Sequence, residues 1–171
     1  DLDGFKKLIK KQKNLISAVI MEVKRDLEPK MSFLKYVRST CTKNNIVLIF
    51  DECTSGFREN FGGIHLKYGI KPDIAMFGKA LGNGFAINML LGKSEMMEKK
   101  FESFISSTFW TERIGPSAGL KTLKEMESLK SWKIICRNGK YLRKKISNIL
   151  KGNKNVFLNK QGIIPNLQLK F

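Results

Sequence analysis

Two short apolar runs in this chain each end in a charge, and that pairing limits the folds open to it. Ile46-Val47-Leu48-Ile49-Phe50 passes directly into Asp51-Glu52, and Asp73-Ile74-Ala75-Met76-Phe77 passes into Gly78-Lys79-Ala80-Leu81-Gly82-Asn83-Gly84. Apolar runs of this length, bounded by turn-forming residues, predict buried strands of a parallel sheet. Parallel strands line up their C-terminal ends on one edge, where ligands of open α/β sheets bind. An acid, Asp51, and an amine, Lys79, are thereby expected at a single ligand-binding edge. The combination suits pyridoxal phosphate. A lysine amine can form a Schiff base with its aldehyde, and a carboxylate can hold the pyridine nitrogen protonated.

The surrounding segments fit an α/β arrangement. Residues 5–14 read as a helix, and Ile16 to Met21 as a strand closed by Glu22. Residues 23–29 form a charged loop. Leu34, Val37 and Cys41 recur at helical spacing within a helix over 31–44, which Asn44-Asn45 closes before the strand at 46–50. This strand–helix–strand order predicts a parallel pair with a right-handed crossover. Residues 54–69 read as a loop with a short helical piece near Leu66, and 85–91 is another apolar run. Helices are expected over 94–103, with Ser94 as cap, over 116–129, and over 133–150 with Gly139 as a weak point. Short strands are expected at 156–158 and 167–169. Composition shifts near residue 131, from an α/β core to a long basic helix and a strand pair. Residues 1–130 are therefore expected to belong to a large domain, and 131–171 to a connecting helix and the beginning of a smaller one.

Composition narrows the function classes. The chain has 171 residues, 42% of them hydrophobic, enough for one ordinary domain with a core. No apolar run approaches the roughly 18 residues that span a bilayer, so no membrane role is expected. The start, Asp1-Leu2-Asp3-Gly4-Phe5, shows no signal-peptide pattern and no initiator Met, which suggests a fragment. Cys41, Cys53 and Cys136 are far apart, and His65 is the single histidine. Structural zinc and a disulfide framework are therefore not expected, and reduced thiols in a cytoplasmic protein are. Nothing around His65 favours a catalytic base. The net charge of +17 invites a nucleic-acid reading, with lysines dense at 6–13 and 140–151. Lysine outnumbers arginine, however, few aromatics interleave with the basic runs, and no nucleic-acid-binding module is visible. Nucleic acid is not the expected partner.

Two phosphate-binding motifs fail on inspection. A P-loop needs glycine where Asp73 stands and Ser or Thr where Ala80 stands. Gly82-Asn83-Gly84 lacks the third glycine and the following helix of a dinucleotide fingerprint. These glycines more simply permit a tight turn beside Lys79.

Taken in order, Ile49-Phe50-Asp51-Glu52-Cys53-Thr54-Ser55-Gly56-Phe57-Arg58, Gly69-Ile70-Lys71-Pro72-Asp73-Ile74 and Gly78-Lys79-Ala80-Leu81-Gly82-Asn83-Gly84 resemble the class III pyridoxal-phosphate aminotransferases. Within that family the resemblance is strongest to the branch containing glutamate-1-semialdehyde aminomutase. Ser107-Thr108-Phe109-Trp110-Thr111-Glu112-Arg113-Ile114-Gly115-Pro116 is similar to the family's later phosphate-contacting segment. The resemblance runs from about Ile16 to the C-terminus. It implies a fold-type-I PLP transferase large domain, a mostly parallel sheet flanked by helices, leading into the start of a small α+β domain.

The resemblance also implies roles. Lys79 would carry pyridoxal 5'-phosphate as a Schiff base and then shuttle a proton. Asp51 would pair with the pyridinium nitrogen, Thr54 would lie near the ring hydroxyl, and Thr108 would donate to the phosphate across a homodimer interface. Small-molecule amino donors and acceptors would be the substrates. The sequence departs from the family in places: Cys53 stands where valine is common, Asn83 replaces a usual glycine, and no proline follows Glu22. The family's upstream phosphate loop and ring-stacking aromatic fall outside the chain. Roles for Glu22, Arg58 and His65 stay open. So does the choice between transamination, the intramolecular amino shift of the aminomutase, and a truncated relative without catalysis.

Overall fold

A computed structural model describes residues 1–25, 27–98, 102, 104–105, 108, 111–158 and 167–169. Helix α1 (Leu2–Gln12) opens on an Asp1 cap whose carboxylate accepts from the Asp3 N–H. A turn of 3-10 helix at 13–15 then leads into β1 (Ala18–Glu22). Helix α2 (Met31–Lys43) connects to β2 (Val47–Asp51), and α3 (His65–Tyr68) precedes β3 (Ile74–Phe77). β4 (Met89–Gly92), α4 (Ser94–Glu98), α5 (Ile114–Leu129) and α6 (Ser131–Ile149) follow, then β5 (Val156–Leu158) and β6 (Leu167–Leu169).

The main sheet has the order β1-β2-β3-β4. β1 and β3 both run parallel to β2, in the register Glu22↔Asp51↔Met76, while β4 returns antiparallel on the far side of β3. The sheet is thus mixed and mostly parallel, in an α/β layering with the flanking helices. β5 and β6 form a separate antiparallel pair.

Alternation along the strands sorts the side chains. Val19 and Met21 of β1, Leu48 and Phe50 of β2, and Ala75 and Phe77 of β3 lie on the covered face. Leu34, Val37 and Cys41, one stripe of α2, pack there with Ile9, Ile46 and Ile64. Phe57, Phe77 and Leu81 continue the core under Leu123 and Met126 of α5. The alternate residues, among them Ile20, Ile49 and Asp51, lie on a more open face, where Ile20 is 61% exposed.

Some sequence expectations shift in detail. The first helix ends at Gln12 because the chain tightens into 3-10 geometry before β1. The apolar run 85–91 yields a strand only from Met89; its first residues serve a turn in which Asn83 is left-handed, with φ 47°. The helix from Ser94 is described to Glu98, and the rest of the expected span lies largely outside the described residues. α6 passes through Gly139 unbroken.

Asp73 ties the N-terminal end of β3 to its neighbours. Its buried carboxylate accepts from Arg38 Nη1 at 2.8 Å, Lys93 Nζ at 2.7 Å and the Leu48 N–H at 2.8 Å. Burial alone would raise its pKa. The bonds from Lys93, Leu48 and Arg38 outweigh that and hold it below its ordinary value of 3.8. Asp73→Ala is expected to cost roughly 2–4 kcal/mol at pH 7. A carboxyl whose folded pKa is depressed contributes its stability above the unfolded value and loses it as pH falls through the folded one. Urea unfolding should therefore show the gap between wild type and Asp73→Ala narrowing below pH 3.8; a gap independent of pH would contradict the assignment.

Candidate functional site

Parallel pairing brings the ends of β1, β2 and β3 to one edge, with Glu22, Asp51 and Met76 in register there. The chain leaves β3 through Gly78, which is buried. A side chain at Gly78 would run into the end of the Asn88 side chain and approach the Cys53 sulfur to 3.4 Å, so a larger residue here would have to displace Asn88. Lys79 follows with φ 45°, a left-handed conformation that costs a residue with a Cβ about 1–2 kcal/mol. Two backbone bonds hold it there, from the Gly82 and Asn83 N–H groups to the Lys79 carbonyl, at 3.2 and 3.1 Å. Strain of this kind, kept in place by its surroundings, concentrates at functional positions.

The Lys79 side chain reaches back across the edge to the loop after β2 and donates to Thr54 Oγ1 at 2.8 Å. Asp51 sits at the base of that loop, its Oδ1 accepting from the Cys53 N–H at 2.9 Å. The Cys53 thiol lies among these charges. Burial, a hydrogen bond to Asp51 and the negative charges of Asp51 and Glu22 push its pKa up, and Lys79 pulls it down by less. Three of the residues singled out in the sequence, Asp51, Thr54 and Lys79, thus meet on one edge. Thr108 is exposed, and its neighbours Ser107 and Phe109 lie outside the described residues. Glu22 is paired with Arg25 at 3.5 Å.

The residue that sequence reasoning missed is Glu52. It is fully buried on the covered side of the sheet and accepts from the Ile64 N–H at 2.9 Å, the His65 N–H at 2.9 Å and the Ser55 hydroxyl. His65 Nδ1 lies 2.8 Å from the same carboxylate, with the imidazole packed 5.9 Å from the Phe50 ring. Burial would raise the Glu52 pKa, but His65, Ser55 and the two backbone N–H groups more than reverse it, and the net direction is down. This answers the question His65 left open: it is a buried partner of Glu52. The one available signal was an acidic pair at a strand end, where alternation must send one carboxylate outward and the other inward.

The donor set fits pyridoxal phosphate: a primary amine, a carboxylate and a hydroxyl share one edge, approached through a glycine that leaves room. Among the described residues no group of three His, Cys, Asp or Glu side chains could hold a metal ion. No described helix is long and apolar enough to cross a membrane.

Comparison with known proteins shows the family and the fold. The family model described as aminotransferase class-III matches residues 2–160. Glutamate-1-semialdehyde 2,1-aminomutase of Methanobrevibacter smithii is 36% identical over 157 residues, which cover 88% of this chain and 37% of that protein. 3-Aminobutyryl-CoA aminotransferase of Cloacimonas acidaminovorans is 32% identical, covering 88% of this chain and 38% of that one. The chain therefore spans less than two-fifths of these relatives' length. Among solved structures, the PLP internal aldimine form of FumI from Sphingopyxis sp. MTA144 superposes with a TM-score of 0.91 at 21% identity, covering 99% of this chain and 43% of that one. Ornithine aminotransferase of Plasmodium yoelii superposes with a TM-score of 0.84 at 22% identity, covering 99% and 47%. At these identities the likeness is one of fold.

The position of the Cys53 thiol can be checked chemically. Asp51→Asn removes the charge that most disfavours the thiolate, so alkylation of Cys53 by iodoacetamide at pH 8 should speed up about two- to tenfold. Lys79→Ala removes the opposing cation and should slow it. Peptide mass spectrometry separates Cys53 from Cys41 and Cys136. Equal Cys53 rates in both variants would put the thiol outside the reach of these charges.

Proposed function

This chain belongs to the class-III aminotransferase family, and on that premise we propose that it carries the cofactor-anchoring part of a pyridoxal-phosphate-dependent amino-group transfer site. The observation that carries the reading is the Lys79 Nζ held at 2.8 Å from Thr54 Oγ1 on the sheet edge that Asp51 also occupies. When bound, pyridoxal phosphate supplies an aldehyde that condenses with a primary amine, releasing water, and a protonated ring that draws off electron density.

Lys79 Nζ would be the covalent anchor, and as a free amine it would carry a proton from the substrate's α-carbon to the carbon that bore the aldehyde. Asp51 would hold the proton on the ring nitrogen, a pairing open to a carboxylate at this partly buried position. Thr54 Oγ1 orients the Lys79 amine and stands near the ring hydroxyl. Thr108 donates its hydroxyl to the phosphate from across a homodimer interface, a role that rests on the family resemblance. Residues 1–130 belong to the cofactor-binding large domain, and 131–171 are the connecting helix and the beginning of the small domain. The left-handed Lys130 between α5 and α6 and the separate β5–β6 pair support that division. Three free cysteines suit the reducing cytoplasm.

The substrates are small amino donors and acceptors. The several aminomutases among the relatives favour a second, narrower reading, an intramolecular amino shift.

Reduction with borohydride after incubation with pyridoxal phosphate, on the protein as natively expressed, should leave the label on Lys79. Lys79→Ala should abolish both the label and the visible absorbance band. A label on another lysine, a band unchanged in Lys79→Ala, or no label at all would overturn the assignment. Conversion of glutamate-1-semialdehyde without an added amino acceptor would select the amino shift; a strict need for an acceptor would select transamination.

A further inference from the structure

Asp51 and Glu52 are adjacent, and the proposed chemistry uses only the first. Glu52 is the more completely engaged of the two. Its side chain has no exposed surface, and both oxygens are occupied: Oε1 by the His65 N–H and Nδ1, Oε2 by the Ile64 N–H and the Ser55 hydroxyl. These partners lie at the two ends of one loop. Ser55 stands directly after Thr54, while Ile64 and His65 stand where the loop enters α3. The backbone repeats the closure, with Gly56 N–H donating to the Glu52 carbonyl at 2.7 Å and Phe57 N–H to the Gly62 carbonyl at 2.9 Å. A side chain at Gly56 would come within 2.8 Å of both the Glu52 carbonyl and the Phe77 ring, so the loop lies hard against the sheet.

Thr54 is fixed by this closure from both sides. The residue two before it is Glu52 itself, and the residue after it donates to the Glu52 carboxylate. Thr54 in turn is the hydrogen-bond partner of Lys79. The interactions therefore form a chain running from Ile64 and His65 through Glu52 and Ser55 to Thr54 Oγ1 and finally to Lys79 Nζ. An apolar core residue at position 52 could fill the same space, but it would leave two backbone N–H groups, a hydroxyl and an imidazole nitrogen unpaired. A buried carboxylate with this many donors sets the loop in one geometry.

We propose that Glu52 is a positioning residue for Lys79: it touches neither cofactor nor substrate, and it acts by holding Thr54 where the Lys79 amine must point. The proposal rests on the reading of Lys79 as the cofactor anchor. The same Thr54 hydroxyl transmits the effect, which makes the proposal separable from a general loss of stability.

The test is a double-mutant cycle of Glu52→Gln and Thr54→Val, read as the rate at which pyridoxal phosphate becomes borohydride-fixed on Lys79 in the natively expressed protein. Each single variant is expected to slow attachment about three- to tenfold. The double variant should be no slower than the slower single one, because both remove the same connection. Ser55→Ala, which deletes one bond and leaves the carboxylate in place, covers the case in which Glu52→Gln fails to fold, and it too should be silent in a Thr54→Val background. Without cofactor, amide hydrogen exchange over 53–56 should accelerate in Glu52→Gln and in Ser55→Ala but not in Thr54→Val. Multiplying effects in the cycle, or unchanged exchange over 53–56, would overturn the positioning role while leaving Lys79 as anchor. Failure of wild-type protein to label at Lys79 would instead strike the functional reading beneath it.

Discussion

Parallel pairing of β2 with β3 is the constraint on which the rest of this structure depends. It sets the ends of the two strands at one edge, so that two short loops, one after Asp51 and one after Phe77, must face each other. The Glu52 N–H extends the ladder by one bond to the Met76 carbonyl at 2.9 Å, which carries the pairing up to the point where the loops begin. Everything distinctive about the edge follows from that last rung. Asp51 turns to the open side, Glu52 turns into the core, and the chain beyond β3 is forced through Gly78 into a left-handed Lys79.

Buried charge is handled in the same way at Asp73 and at Lys24. Asp73 is ringed by a guanidinium, an ammonium and a backbone N–H. Lys24, with its side chain 4% exposed, is enclosed by Glu28 and by Glu59 at 2.7 Å, and Lys67 and Tyr68 complete that group. Burial would lower the Lys24 pKa, yet its two glutamates reverse the sign and hold it above its ordinary value. Glu28 is depressed by its hydrogen bonds with Lys24 and Tyr68 against the opposing effect of burial, and burial together with that Glu28 contact pushes the Tyr68 hydroxyl up. Each cluster fastens a loop to the sheet or to a helix. An ion paired in this way costs little beyond its own desolvation and fixes geometry that apolar packing alone would leave looser.

Much of this architecture was legible beforehand because it rests on local periodicity and strand-end chemistry. The α2 stripe of Leu34, Val37 and Cys41, the β2 and β3 runs, and the turn at Asn83 all fall where hydrophobic spacing and turn residues placed them. The family also could be read from three ordered motifs, since their residue types and separations rarely coincide. What spacing could not convey was the buried polar network. Glu52 looked like half of an acidic pair. His65 looked like a lone histidine without context, because their partnership joins residues thirteen positions apart through a loop that has no periodicity.

The sequence by itself determined that an acid and an amine would arrive at the ends of neighbouring parallel strands, because apolar runs must be buried and a buried strand delivers whatever residue ends it. It also determined that glycine would stand beside the amine. Only the tertiary structure decided that Glu52, the neighbour of that acid, turns into the core and locks the loop. That choice depends on the phase of side-chain alternation at the sheet edge and on donors brought in from α3. It also decided that Thr54 Oγ1 receives the Lys79 amine. Those outcomes depend on distances across the fold, which no local pattern encodes.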